Sequence, residues 1–233
     1  MAKTWYSIGR QVGTKMRHGL WVWKRLTAGE TQARNAETAL GRDLAAQLRS
    51  QHSPVEDDDA HSLLEEIGVR LANRLKDKRR PWHFEVLGGD DVNACALPGG
   101  YIFVTESLGQ LCEWDAAELA FVIAHEMAHV VRGHTWDRVV GSAVFSALAH
   151  RLGGPLGQLS REFLDKAYSR DRELEADAFA LRLMTAAGYS HDGATHLLQR
   201  LAQLNPDQHT HLSGYFATHP ATRERIKRLH ASD

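Results

Sequence analysis

Two of the fourteen histidines in this 233-residue chain stand in the run His125-Glu126-Met127-Ala128-His129. On a helix, at about 100° per residue, His129 comes round to within roughly 40° of His125, one turn on, and Glu126 sits roughly 100° away. Both imidazoles can then reach one ion while the carboxylate occupies the space beside it. This HExxH arrangement offers Zn2+ two nitrogen ligands and offers a reaction its general base. Residues 119–124 before the run and Val130-Val131 after it are apolar, and ionisable side chains buried there without a ligand would be costly. The bland alternative is a pair of core histidines with hydrogen-bonded partners. His134, five residues past His129, falls off the ligand face and reads as a cation at the helix end.

Zinc that activates water needs a third protein ligand and an open fourth position. The best donor is Glu173, in Ser169-Arg170-Asp171-Arg172-Glu173-Leu174-Glu175-Ala176-Asp177. Glu173 and Asp177 are four apart and share a helix face. Glu173 can bind the ion while Asp177 accepts the outer N–H of a zinc histidine, taken as His125, which would fix that ring's tautomer. The ExxxD spacing is weak alone; it gains weight because HExxH requires a third donor. Glu175 should point elsewhere, and Arg170, Asp171 and Arg172 read as surface charge.

The elements that must position these groups can be read from periodicity. Asp115 with Glu118 forms a capping-box pattern before a helix over 116–133. A helix over 33–50 is striped by Ala36, Leu40, Leu44 and Leu48, and another over 61–78 by Leu64, Ile67, Leu71 and Leu75. The acidic run over 56–59 suits the N-terminus of the second. Its basic end (Lys76, Lys78, Arg79, Arg80) before Pro81 is an ordinary helix stop that needs no ligand. Strands are expected over 82–87, 92–97 and 101–105, joined by a hairpin-type turn at 88–91 and by Pro98-Gly99-Gly100. The expected fold is α+β, mostly helical, with a small three-stranded antiparallel sheet and the zinc held between the HExxH helix and the ExxxD helix. Glycines at 153–157 break the apolar run 139–149 from a helix expected to start near residue 159; that run is either a buried hairpin arm, the preferred reading, or a membrane-facing flap.

Composition bounds the rest. With 28 Lys plus Arg against 29 Asp plus Glu, the chain lacks the basic excess of a general nucleic-acid binder, and no nucleic-acid partner is expected. A 43% hydrophobic and 24% charged content is that of a soluble globular protein, not a disordered one. Cys95 and Cys112 are too few for a disulfide framework. No secretory signal and no apolar run of spanning length is visible, so the expected location is the cytoplasm or the cytoplasmic face of a membrane. Residues 1–29 carry six basic side chains, no acidic one, and Trp5, Tyr6, Trp21 and Trp23. They form a basic amphipathic segment (1–30) that either packs on the main domain or makes peripheral contact with a membrane surface; a transit peptide is the third reading. Residues 31–233 are expected to form a single domain.

Four blocks together resemble the gluzincin metallopeptidases that include HtpX, the CAAX prenyl endopeptidases and the mitochondrial Oma proteases. They are the HExxH run; Tyr168-Ser169-Arg170 leading into Glu173–Asp177; Asn93-Ala94-Cys95-Ala96-Leu97-Pro98-Gly99-Gly100-Tyr101-Ile102; and Thr218-His219-Pro220 followed by Arg225-Ile226. The resemblance covers roughly residues 63–229. Without the several membrane helices of HtpX and the CAAX enzymes, the chain is closer to the compact Oma-like members, and Cys95 stands where the family usually has Phe.

The resemblance implies a zinc-dependent metalloendopeptidase, one zinc per chain, acting on polypeptides whose extended or misfolded segments belong to damaged or membrane-associated proteins. It implies that Asn93, Ala94, Cys95 and Ala96 form the edge of the substrate cleft, where an extended peptide can add by main-chain hydrogen bonds; Cys95 is then a small buried hydrophobe or faces the cleft. It brings His219 to the site, to stabilise the oxyanion or to close onto zinc as a removable fourth ligand, unless that residue only orients the C-terminal helix. Arg225 pairs with a carboxylate near the site or lies on the last helix. Two rivals remain: a non-catalytic adaptor held on membranes by its N-terminus with zinc purely structural, and a latent protease gated by His219.

Overall fold

The computed structural model describes residues 29–138 and 167–203, with His219, Arg225 and Lys227. The N-terminal segment (1–28), the apolar run 139–149, the glycine stretch 153–157, and Thr218, Pro220 and Ile226 lie outside the described residues.

Helix α1 (Glu30–Ser50) lays Ala45 and Leu48 on the sheet residues Leu87, Leu97, Tyr101 and Phe103. It approaches the turn after β2 so closely that a Cβ on Gly41 would stand 1.8 Å from the Pro98 carbonyl oxygen. Glu37 ties the same two elements together, accepting from the Gly99 amide at 3.2 Å and pairing with Arg80 at 2.6 Å. Gly99 and Gly100 have φ of +83° and +93°, which side-chain-bearing residues rarely adopt.

Helix α2 (Asp58–Ala72) begins where the acidic run predicts. Asp57 caps it by accepting from the Ala60 amide at 2.9 Å, and Asp58 and Asp59 lie in the first turn. The helix stops at Ala72, short of the expected 78. Arg74 and Leu75 donate to carbonyls only three residues back, and Lys78 Nζ donates to the Asn73 carbonyl at 2.5 Å. Leu75 is still buried, so its place in the apolar stripe does not require an α-helix.

Strands β1 (His83–Leu87), β2 (Ala94–Leu97) and β3 (Tyr101–Thr105) form one sheet in the order β1-β3-β2. The expectation of an antiparallel sheet is corrected here. β2 pairs antiparallel with β3, but β1 pairs parallel with β3, His83 against Tyr101 through Leu87 against Thr105. The 88–91 turn therefore closes no hairpin. Parallel neighbours need a long crossover, and residues 88–100 supply it, with β2 as the outward leg that leaves room for β3 to insert. Thr105 pins that crossover: its hydroxyl donates to the Asn93 carbonyl at 3.0 Å and accepts from the Asn93 amide at 2.9 Å.

After the short α3 (Glu106–Leu111), helix α4 (Ala116–Val131) runs through the centre of the protein. Asp115 caps it, accepting from the amides of Ala117 and Glu118 at 2.9 Å. The reciprocal half of a capping box is not made; Glu118 turns to Arg200, 3.1 Å away. Every residue from Glu118 to Val130 is buried. That burial comes from packing against α2, β2, and helices α5 (Arg170–Ala186) and α6 (Asp192–Gln203). A helix that is apolar all round belongs in such a core. The fold is thus α+β and mostly helical, and α4 and α5, its most extensively packed pair, are the two helices expected to carry the site. Among the described residues, no helix is long and apolar enough to cross a membrane.

Candidate metal centre

Because α4 is enclosed on all sides, His125, Glu126 and His129 are buried, at 0%, 1% and 0% exposure. Across from them α5 presents Glu173 and Asp177, and His219 arrives from the C-terminal region; all three are buried. His125 Nε2 lies 3.1 Å from His129 Nε2, 3.5 Å from Glu173 Oε2 and 3.3 Å from His219 Nδ1. His129 Nε2 is 3.5 Å from Glu173 Oε1, and His219 Nδ1 is 3.1 Å from that oxygen. Donors held at about 2.0–2.1 Å from a tetrahedral ion lie about 3.3–3.4 Å apart. Five of the six pairs of side chains approach with about that spacing, and all four donor atoms fall within 4.8 Å of one another. Two or three imidazoles and a carboxylate suit zinc.

The outer atoms of the cluster fix its rings. His125 Nδ1 is 2.9 Å from Asp177 Oδ1; a carboxylate there accepts, so Nδ1 carries the proton and Nε2 presents its lone pair inward. Arg225, buried at 1% exposure, donates to both Asp177 oxygens at 2.7 and 2.8 Å and stands 3.1 Å from Glu173 Oε2. Burial alone would raise the Asp177 carboxyl, yet Arg225 and His125 hold it below the usual range. Glu173 is likewise held well below that range, against burial, by His219, His125 and His129. On His125 burial disfavours charge, but Asp177 and Glu173 prevail and raise it to about 9. His129 falls well below its ordinary value through burial, helped by the neighbouring charges of His125 and His219. These shifts describe a pocket whose anionic side chains call for positive charge among the imidazoles.

His134 corrects the sequence reading. It is no exposed helix-end cation: it is 5% exposed, and burial pushes it down to about 4. Gly133, at φ +77°, reverses the chain and returns His134 behind His129, with the two Nδ1 atoms 3.0 Å apart. If His129 Nε2 is to hold a metal, its Nδ1–H must donate to His134. Glu175 points away from the cluster, as expected, to Arg132 at 3.2 Å and His134 at 3.6 Å. Arg172 is not plain surface charge but pairs with Asp137 at 2.5 Å. Tyr168 stacks on His129 with ring centroids 3.8 Å apart, and the Arg138 guanidinium lies 3.7 Å from the centroid of the Tyr168 ring. Neither contact has a signal in spacing, because both join residues distant in sequence.

Glu126 is the one member of the HExxH trio left over. Neither of its carboxylate oxygens has a hydrogen-bond partner among the described residues. His219 Nε2 lies 3.2 Å from Oε1, within ion-pair reach but not aligned as a hydrogen bond. A buried carboxylate without a hydrogen-bond partner is costly, and its lone pairs are left free to take a proton.

Residues 93–96 lie along α4. Ala94 and Ala96 are buried, Asn93 Oδ1 is buried without a partner, and the outer edge of β2 pairs with no strand among the described residues. Cys95 keeps part of its surface exposed, yet burial of the thiol, with Glu126 nearby, pushes it up to about 12, which leaves no thiolate for nucleophilic chemistry at neutral pH.

Relatives bear on this arrangement. The chain is 26% identical over 222 residues to the beta-barrel assembly-enhancing protease of Yersinia pestis, an alignment covering 86% of the chain and 44% of that protein. It is 31% identical over 155 residues to the mitochondrial metalloendopeptidase OMA1 of Schizosaccharomyces pombe, covering 64% of the chain and 45% of the relative. It is 28% identical over 177 residues to the metalloprotease YcaL of Escherichia coli, covering 71% and 67%. The chain thus spans less than half the length of the first two. The model of peptidase family M48 matches residues 58–233, a stretch that holds both helices of the donor cluster, His219 and Arg225, and the chain belongs to that family.

Proposed function

We propose that the protein is a zinc-dependent metalloendopeptidase in which His125, His129 and Glu173 hold a single Zn2+. The observation that carries the reading is the convergence of the donor atoms, all within 4.8 Å of one another, beside a buried Glu126 whose oxygens accept no hydrogen bond among the described residues. A zinc ion held by these three side chains would supply Lewis-acid polarisation of the scissile carbonyl and acidify a water molecule. Glu126 takes the proton from that water and returns it to the leaving amine. Asp177 keeps His125 in the tautomer that points Nε2 inward, and Arg225 keeps Asp177 ionised while standing 3.1 Å from Glu173 Oε2. The open edge of β2, with Asn93, Ala94, Cys95 and Ala96, receives the substrate in extended form. Such main-chain recognition favours unfolded or extended segments. Residues 31–233 would act as one domain, and the basic segment 1–30 would supply peripheral membrane contact. A non-catalytic adaptor does not explain Glu126, since structural zinc needs no base.

The test is zinc analysis together with casein cleavage. Purified protein should carry about one zinc per chain and cleave casein. A chelator should abolish cleavage, and zinc should restore it. Metal-free protein that cleaves equally well would overturn the reading.

A specific observation favours a gated form of the same enzyme. His219 Nδ1 lies among the donors, 3.3 Å from His125 Nε2 and 3.1 Å from Glu173 Oε1, so His219 would occupy the position that water and substrate require. His219→Ala should then raise basal cleavage while zinc stays bound. If His219 instead stabilises the oxyanion, the same change should lower turnover by roughly 10²–10³-fold.

A further inference from the structure

On the back of α5 lies a groove of about 920 Å3, within the roughly 300–1,000 Å3 range of ligand sites. Phe179, Arg182, Leu183 and Ala186 face it from α5. At about 100° per residue, their mean direction is roughly 190° round the helix from Asp177, so the groove and the donor cluster use opposite faces of one helix. Val131, at the end of α4, is 41% exposed and joins Trp82 and Phe179 in an apolar floor.

The rim is cationic, and its charges fall into two sets. Arg34 and Arg79 share Asp77, Arg80 pairs with Glu37, and Lys78 donates to the end of α2. Arg74, Lys76 and Arg182 also line the groove and are exposed, but they meet no carboxylate among the described residues. The helix stop read from the sequence counts Lys76 among its basic residues, but the helix ends at Ala72 and only Lys78 of that group donates to its last carbonyls. This leaves Arg74, Lys76 and Arg182 without an ion-pair role among the described residues. Unpaired like charges around an exposed apolar floor leave both without their natural complement.

We propose that this groove is a second binding site, for an extended acidic segment of a polypeptide that carries apolar or aromatic side chains between its carboxylates. The carboxylates meet Arg74, Lys76 and Arg182, and the apolar side chains cover Trp82, Phe179 and Val131. Charge excludes the chain's own first 29 residues, which hold six basic side chains and no acidic one. Binding here requires no hydrolysis and stands whether or not the zinc reading holds.

The test is fluorescence anisotropy of a short fluorescein-labelled peptide alternating Glu with Leu and Phe, titrated with the full chain carrying Glu126→Gln to prevent cleavage. Saturable binding is expected, weakened by added salt. Combined Arg74→Glu, Lys76→Glu and Arg182→Glu should weaken it by roughly tenfold or more. The matching Gln substitutions, which guard against a folding defect, should weaken it less, and Val131→Asp should weaken it with every cation in place. Unchanged affinity in the charge-reversed protein would overturn the proposal. So would equal binding of a Glu–Ser peptide, or the three cations carrying adsorption to phosphatidylglycerol vesicles while the peptide fails to bind.

Discussion

From Glu118 to Val130, α4 has no exposed residue, whereas α5 buries Glu173, Ala176, Asp177 and Ala180 and leaves Asp171, Glu175 and Arg182 exposed. Both helices supply the donor cluster. α4 is placed by apolar packing on every side, and its histidines are carried along with it. α5 packs on α4 by one face, and its carboxylates are further held by Arg225, which reaches across from the C-terminal region to both Glu173 and Asp177. The contrast teaches that half the site is fixed by burial and half by an ionic clasp, and the two halves should fail differently.

The largest effect is expected at the clasp. Arg225→Ala leaves two carboxylates buried without their cation and should cost about 3–5 kcal/mol, read by urea denaturation, with loss of bound zinc. Ile123→Ala, within α4, should cost about 2–5 kcal/mol through its cavity while the folded fraction keeps its zinc. Equal zinc loss in both variants would break the distinction. A milder change sharpens it: Asp177→Asn keeps shape but weakens the hold on the His125 tautomer, and zinc affinity should fall by roughly 10–100-fold in a competition titration.

How much of this is legible in the sequence depends on the range of each interaction. HExxH is readable because its geometry is local: four residues and one helical turn define it. Glu173 and Asp177 are readable only once a third donor is demanded. The reversal at Gly133 is local, but that it buries His134 against His129 is not written in the spacing. The clasp comes from a residue 48 positions beyond Asp177, and only the family resemblance offers it, as one of two readings of Arg225. The sheet fails for the same reason. Turn residues at 88–91 signal a reversal, but strand order rests on contacts distant in sequence, β1 packing on α2 and β2 on α4, and β3 takes the place a hairpin would give to β2.

The smallest effect lies at the groove rim. Arg34 and Arg79 lower the Asp77 carboxyl from 3.8 to about 2. A depressed acid contributes stability above its ordinary value and loses it as pH falls through the folded one. This contribution should therefore be complete above pH 3.8 and fade towards about pH 2. Asp77 is exposed, so screening keeps it small. In Asp77→Asn the melting temperature should depend slightly less on pH across that window; an unchanged profile would mean the pair contributes nothing.

The central claim is that α4 carries two of the three metal ligands and, between them, a base whose carboxylate accepts no hydrogen bond among the described residues. Glu126→Gln tests it most directly, because the amide keeps size and polarity and removes only the basicity. Zinc content and melting temperature should match the parent, and casein cleavage should fall by roughly 10²–10⁴-fold. A Glu126→Gln protein that retains zinc and cleaves casein at the parent rate would contradict the account.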